Sequence, residues 1–219
     1  MKDTATGQTD ESKLAVTAID ILLEPDQTMI DRACEANATL RAAFPKGFAL
    51  DTTHRPHVSI FAGFVPTAKL LDAYVAAGEV LAKKEYTAWK LTAFKYYYIP
   101  LGTIGLAGIV IEPTDELLRL QQELIDVVGP FTVKTATAAA FYTTPAEPNI
   151  EQAVIDYIGA SDHLTGENFS PHVTIGLAER TFLDPMLAKP FDAFTFSPAS
   201  AAVYQFGEYG TARNKLKAL

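Results

Sequence analysis

Two of the four histidines in this chain stand in a phrase that occurs twice, Arg55-Pro56-His57-Val58-Ser59-Ile60 and Phe169-Ser170-Pro171-His172-Val173-Thr174-Ile175. A pair of imidazoles facing one site can divide acid and base labour, because free imidazole titrates at about 6.5 and one ring can accept a proton while the other donates. A phosphodiester or cyclic phosphate suits such a pair. The attacking oxygen must lose a proton on one side of phosphorus while the leaving oxygen gains one on the other. The hydroxyls of Ser59 and Thr174 would donate hydrogen bonds to the non-bridging oxygens, where charge accumulates in the transition state. This chemistry requires no metal and no cofactor, and it leaves open which histidine is the acid and which the base.

Such a site needs each histidine beside its hydroxyl, and the local sequence supplies that. Pro-His-Val-Ser/Thr-Ile reads as a strand entered after a proline, since β-branched residues favour strands and proline holds the preceding residue extended. Side chains alternate along a strand, so His57 and Ser59 share a face, as do His172 and Thr174. Val58, Ile60, Val173 and Ile175 point the other way, into apolar packing. The copies lie about a quarter and three quarters of the way along the 219 residues, which suggests two lobes built alike around a shared groove.

The rest of the chain supplies elements to hold these strands. Leu14 to Leu23 reads as a buried strand, and Asp26 caps a helix with Met29, Ile30, Ala33, Cys34, Asn37 and Leu40 on one side. Pro66-Thr67 opens a helix toward Lys84 whose apolar stripe is Leu70, Leu71, Tyr74, Val75 and Leu81. Ala88 to Ile99 and Ile104 to Ile111 form a strand pair, and Thr114 caps a helix that ends at Gly129-Pro130. Phe131 to Tyr142 suits strand or helix. Short helices follow near 150–158 and 183–187, then one or two strands in Phe191 to Phe206 and a glycine turn with a basic tail from Gly207. Residues 1–12 are polar and read as a disordered tail, with 13–219 as a single bilobal domain.

The words His57-Val58-Ser59-Ile60 and His172-Val173-Thr174-Ile175 resemble the paired H-x-[ST]-x motifs of the two-histidine (2H) phosphoesterase superfamily. That superfamily includes bacterial 2'-5' RNA ligase-like proteins and cyclic nucleotide phosphodiesterases. The resemblance extends from Leu14 to about Gly210, and the motifs are its diagnostic part. It implies an α+β fold, bilobal and duplicated, with two antiparallel β-sheets facing a central cleft and helices packed on the outer faces. It also implies metal-independent attack on 2',3'-cyclic or 2'-5' linked phosphates, with His57 and His172 catalytic and Ser59 and Thr174 binding the substrate phosphate. Many relatives carry basic residues just after the motifs. Here Phe61-Ala62-Gly63-Phe64 and Gly176-Leu177-Ala178 follow, and Arg55 and Arg180 are the nearest cations.

Net charge is −8, which argues against long nucleic acid, whose binding needs many phosphate contacts; a small nucleotide or short RNA fits better. Arg55, Tyr97 and Tyr204 are candidate substrate contacts, although tyrosines in such runs more often pack within sheets. A single cysteine, Cys34, allows no intrachain disulfide and no thiolate cluster. No apolar run is long enough for a membrane span. A cytoplasmic monomer is the expectation, with a mature form whose secretory leader was removed before Lys2 as the alternative. Two other functions compete. The cleft could bind nucleotides without turning them over, or His54, His57 and His172 could hold a metal. Against the metal, the gap across Arg55-Pro56 does not put His54 and His57 on one strand face, and no carboxylate–histidine cluster follows.

Overall fold

A computed structural model describes residues 15–160 and 165–219. The N-terminal stretch 1–12, read above as a tail, lies outside the described residues, as does His163. The first apolar run forms β1 (Val16–Pro25). Asp26 then caps α1 (Gln27–Ala43), its carboxylate accepting from the backbone N–H groups of Thr28 at 3.1 Å and Met29 at 3.4 Å. The first motif enters β2 (Val58–Pro66), followed by α2 (Leu70–Leu81) and the hairpin of β3 (Leu91–Leu101) and β4 (Ile104–Ile111). Thr114 caps α3 (Asp115–Val128), and α4 (Gln152–Gly159) precedes the second motif strand, β5 (His172–Glu179). The chain finishes with α5 (Arg180–Leu187), β6 (Phe194–Phe196), β7 (Pro198–Phe206) and β8 (Ala212–Ala218).

These strands form two antiparallel four-stranded sheets, ordered β2-β1-β7-β8 and β5-β4-β3-β6. Each motif strand is therefore a sheet edge, where the preceding proline removes no ladder hydrogen bond. The duplication is legible in the connections: β1 leads through α1 to β2, and β4 leads through α3 to β5. Each of these helices lies against the other half's motif strand, α1 on β5 and α3 on β2.

The ladders repeat the same irregularity. Ser59 pairs with Leu22 and Phe61 with Ile21, leaving Ile60 unmatched; Thr174 pairs with Gly108 and Gly176 with Ala107, leaving Ile175 unmatched. A bulge thus follows the hydroxyl residue in both motif strands, bending each at the site. In the second, Gly176 takes φ +129°, and a Cβ there would lie 2.7 Å from Nδ2 of Asn37. Asn37, buried on α1, donates from that nitrogen to the carbonyls of Ile175 at 2.8 Å and Phe48 at 3.0 Å. Only glycine meets both demands without strain.

Val58, Ile60, Val173 and Ile175 are buried in one core with Ile19, Ile21, Ile109 and the inner faces of α1, α2 and α3. Three expectations change. On α2 the buried residues are Ala73, Ala77, Val80 and Leu81, while Leu71 is 71% and Val75 53% exposed. Leu81 of the expected stripe is buried and Leu70 and Tyr74 pack against the core, but the centre of the inward face is shifted to the small alanines, where α2 packs on α3. The basic tail is the strand β8, paired with β7, whose alternating cations suit an exposed edge. Phe131 to Tyr142 is largely irregular, with one bridge from Val133 to Phe64 and a short 3₁₀ turn at Ala138–Ala140.

Candidate active site

Both motif histidines are held alike. Nδ1 of His57 donates to the carbonyl of Arg55 at 2.6 Å, and Nδ1 of His172 to that of Ser170 at 2.8 Å. In each case the acceptor precedes the proline, which keeps that residue extended and returns its carbonyl to the ring two residues on. A carbonyl only accepts, so Nδ1 carries a proton in both rings; Nε2 of His172 then has no hydrogen-bond partner among the described residues, while Nε2 of His57 faces Asp20. His57, Ser59, His172, Thr174 and Tyr97 line one cavity of about 830 Å³, as the two-lobe reading requires.

The surroundings of the two rings differ. Asp20, fully buried on β1, places Oδ2 at 3.3 Å from Nε2 of His57 and accepts the Ser59 hydroxyl proton on the same oxygen at 2.7 Å. Its Oδ1 has no hydrogen-bond partner among the described residues. Burial alone would push the His57 imidazolium toward neutrality. The Asp20 hydrogen bond and charge, the Arg55 carbonyl and the charge of Glu24 outweigh it and hold the His57 pKa above its ordinary value. For His172 burial again lowers the pKa. The Ser170 carbonyl and Asp20 offset part of this, His57 adds to it, and the net direction is down. One ring is thus biased to imidazolium and the other to neutral imidazole.

The ladder registers explain the difference. Counting back from the bulge, Asp20 on β1 occupies the place of Leu106 on β4, and Leu22 the place of Gly108. The missing side chain at Gly108 makes room for Tyr97, whose ring a Cβ there would approach to 2.5 Å. Tyr97 packs edge-on against His172, with centroids 5.0 Å apart at 67°. Burial pushes its phenol well above the usual tyrosine range, so it remains neutral.

The other expected residues divide. Thr174 makes no side-chain hydrogen bond among the described residues and faces the cavity with its hydroxyl uncommitted, whereas the Ser59 proton is committed to Asp20. Arg55 contributes its carbonyl to His57, and its exposed side chain does not line the cavity. Tyr204 is buried away from the cavity and donates to Glu24 at 2.6 Å. Glu24 also accepts from Ser200 and from Lys215 at 2.9 Å, and these partners overcome its burial to hold it below the usual carboxylate range. His54 stands apart from His57: it stacks on Phe48 at 4.8 Å and pairs with Glu147 at 3.2 Å beside Arg213. Asp20 lies outside both motifs, within the apolar run of β1. The available signal was a lone carboxylate within an otherwise apolar strand, which must find a partner when buried.

The same arrangement of strands and helices occurs in solved structures. A Thermus thermophilus protein, TT0787, superposes with a TM-score of 0.57 at 19% identity, over 93% of this chain and 97% of that one. E. coli LigT complexed with 3'-AMP gives 0.50 at 13% identity, over 94% of this chain and 97% of LigT. The chain has the LigT fold. The likeness to the 2H phosphoesterases therefore holds at the level of the fold. No protein-family model and no curated protein matches the sequence. No helix among the described residues is long and apolar enough to cross a membrane.

Proposed function

We propose that the protein is a metal-independent phosphoesterase that cleaves, or reversibly forms, 2',3'-cyclic phosphate or 2'-5' phosphodiester linkages of nucleotides or short RNA. The observation that carries this reading is that two identically anchored histidines and the uncommitted Thr174 hydroxyl line one cavity; the surroundings of the two rings push their pKa values in opposite directions. His172, neutral with a free Nε2, accepts the proton of the attacking water or hydroxyl. His57, whose pKa Asp20 raises, protonates the leaving oxygen from Nε2, the nitrogen that otherwise faces the Asp20 carboxylate at 3.3 Å. In the reverse direction the roles exchange. Thr174 donates to a non-bridging oxygen as charge develops there. Ser59 acts one step back, fixing the carboxylate that holds His57. LigT, which shares the fold, was solved with 3'-AMP, and a mononucleotide is of a size to enter a cleft of about 830 Å³.

The direct test is phosphorus NMR of 2',3'-cyclic mononucleotides and 2'-5' dinucleotides incubated with the protein in EDTA. Ring-opened monophosphates or cleaved dinucleotides are the expected products. Saturable binding of the same compounds without turnover would replace the enzyme with a nucleotide-binding protein. Activity lost in chelator and restored by zinc or manganese would replace the two-histidine mechanism.

A further inference from the structure

On the first sheet, the apolar cleft face beyond Asp20 is covered by the chain itself: Ala18, Phe64 and Phe206 pack with Phe141 and with Ile155 and Ile158 of α4. The registers make Ile104 the counterpart of Ala18, and Ile99 the counterpart of Tyr204, on the second sheet. There the same face opens into the cavity. Ile99, Leu101 and Ile104 are only half-buried and share that cavity with Leu106, Ile125, His172 and Thr174. Lys134 is the one Lys or Arg lining the cavity among the described residues. An aliphatic trough therefore starts beside the proposed phosphate site, at the place where the other half packs its own helix.

Resting on the phosphoesterase reading above, we propose that this trough holds an apolar arm of the substrate, so that the phosphoester taken carries an aliphatic or aryl group on one side of phosphorus. A nucleobase fits this wall poorly. The side chains of Ile99, Leu101, Ile104, Leu106 and Ile125 offer a base edge no hydrogen-bond partner, whereas a hydrocarbon arm laid on them gains from leaving water. The three side chains left half-exposed on the second sheet become covered once such an arm is bound, as Phe141 and α4 cover Ala18, the counterpart of Ile104, on the first.

Alkyl phosphates test this separately from catalysis. Methyl, butyl and octyl phosphate are titrated calorimetrically into the full-length protein, and 2',3'-cyclic nucleotide hydrolysis is followed in parallel. Burial of each methylene should tighten binding about three- to fourfold, which places octyl phosphate on the order of a hundredfold below butyl phosphate in Kd. Ile104→Asp and, as a second and milder change, Leu101→Ser should flatten the series. Thermal melting identifies any variant that has not folded. A flat series in the unaltered protein that still hydrolyses cyclic nucleotides overturns the apolar arm and leaves the phosphoesterase reading standing. A steep series without hydrolysis keeps the trough and removes the enzyme. A steep series that neither folded variant changes also overturns the proposal, because the chain then binds elsewhere.

Discussion

The two halves of the cleft hold their histidines in the same way and treat them oppositely. In both, a proline-fixed carbonyl anchors Nδ1 and a bulge follows the hydroxyl residue. The neighbouring strand then departs: β1 contributes Asp20 and Glu24, and β4 contributes Leu106 and Val110 at the same ladder places. The duplicated part positions two rings around one cavity. The diverged part pushes the two imidazole pKa values apart, up for His57 and down for His172.

The largest effect tests whether both rings work. His57→Ala and His172→Ala should each lower turnover of a 2',3'-cyclic nucleotide by about 10²–10⁴-fold in EDTA, the range for loss of a positioned acid or base. Circular dichroism and melting should show both variants folded. If either single variant keeps its turnover, the halves are not partners and the site has one centre.

Asp20 tests the divergence. The rate should be bell-shaped in pH, with apparent pKa values belonging to the coupled pair: a lower limb below the ordinary imidazole value, from His172, and an upper limb above it, from His57. Asp20→Asn should bring the upper limb down while moving the lower limb less, with activity near pH 8 falling by roughly one to two orders of magnitude. Stability follows the same sign. A histidine whose pKa is raised on folding stabilises fully below its unfolded value of about 6.5, and that contribution disappears as pH rises through the folded pKa. The stability gap between wild type and Asp20→Asn should therefore be widest in mild acid and shrink in mild base, measured by urea unfolding at several pH values. A constant gap would mean that Asp20 does not act through the His57 proton.

The parts legible in the sequence were those set by local rules. The proline-histidine strands, the caps at Asp26 and Thr114, and the β3–β4 hairpin each follow from a few adjacent residues. The two motifs also announced themselves, because a repeated hydroxyl at spacing two is hard to explain by packing alone. What escaped reading depended on partners distant in sequence. Asp20 lies 39 positions from the Ser59 hydroxyl it accepts, and its role appears only when β1 pairs with β2. Tyr204 was a reasonable candidate by type, but Glu24, joined to it by the β1–β7 pairing, claims its hydroxyl. On α2, the expected Leu70, Tyr74 and Leu81 do meet the core, but close packing on α3 turns Ala73 and Ala77 inward and leaves Leu71 and Val75 exposed.

The bulges offer a smaller contrast. Phe61 in the first stands where Gly176 stands in the second, and only Gly176 has a positive φ with Asn37 against it. Gly176→Ala should cost about 1–3 kcal/mol through backbone strain and displacement of the Asn37 amide. Asn37→Ala should cost a similar amount by leaving the Ile175 carbonyl unpaired, about 1–3 kcal/mol. Because both changes break one latch, the double variant should lose less than the sum, measured as a cycle in urea. Full additivity would show that the glycine is needed for its backbone angle alone.

The finest comparison sets the two hydroxyls against each other. Both occupy the same place after their histidines, yet the Ser59 hydroxyl already donates a hydrogen bond to Asp20, and that of Thr174 makes none among the described residues. Thr174→Ala should therefore lower the plateau rate, by about tenfold for one lost donor to developing charge, and leave the limbs of the pH profile in place. Ser59→Ala should do the reverse, with a smaller change in plateau. Relieved of one donor, the Asp20 carboxylate has more charge to offer His57, so the upper limb should move to higher pH. Equal plateau losses with unmoved limbs would make both hydroxyls direct phosphate ligands and return the site to the symmetry of its motifs.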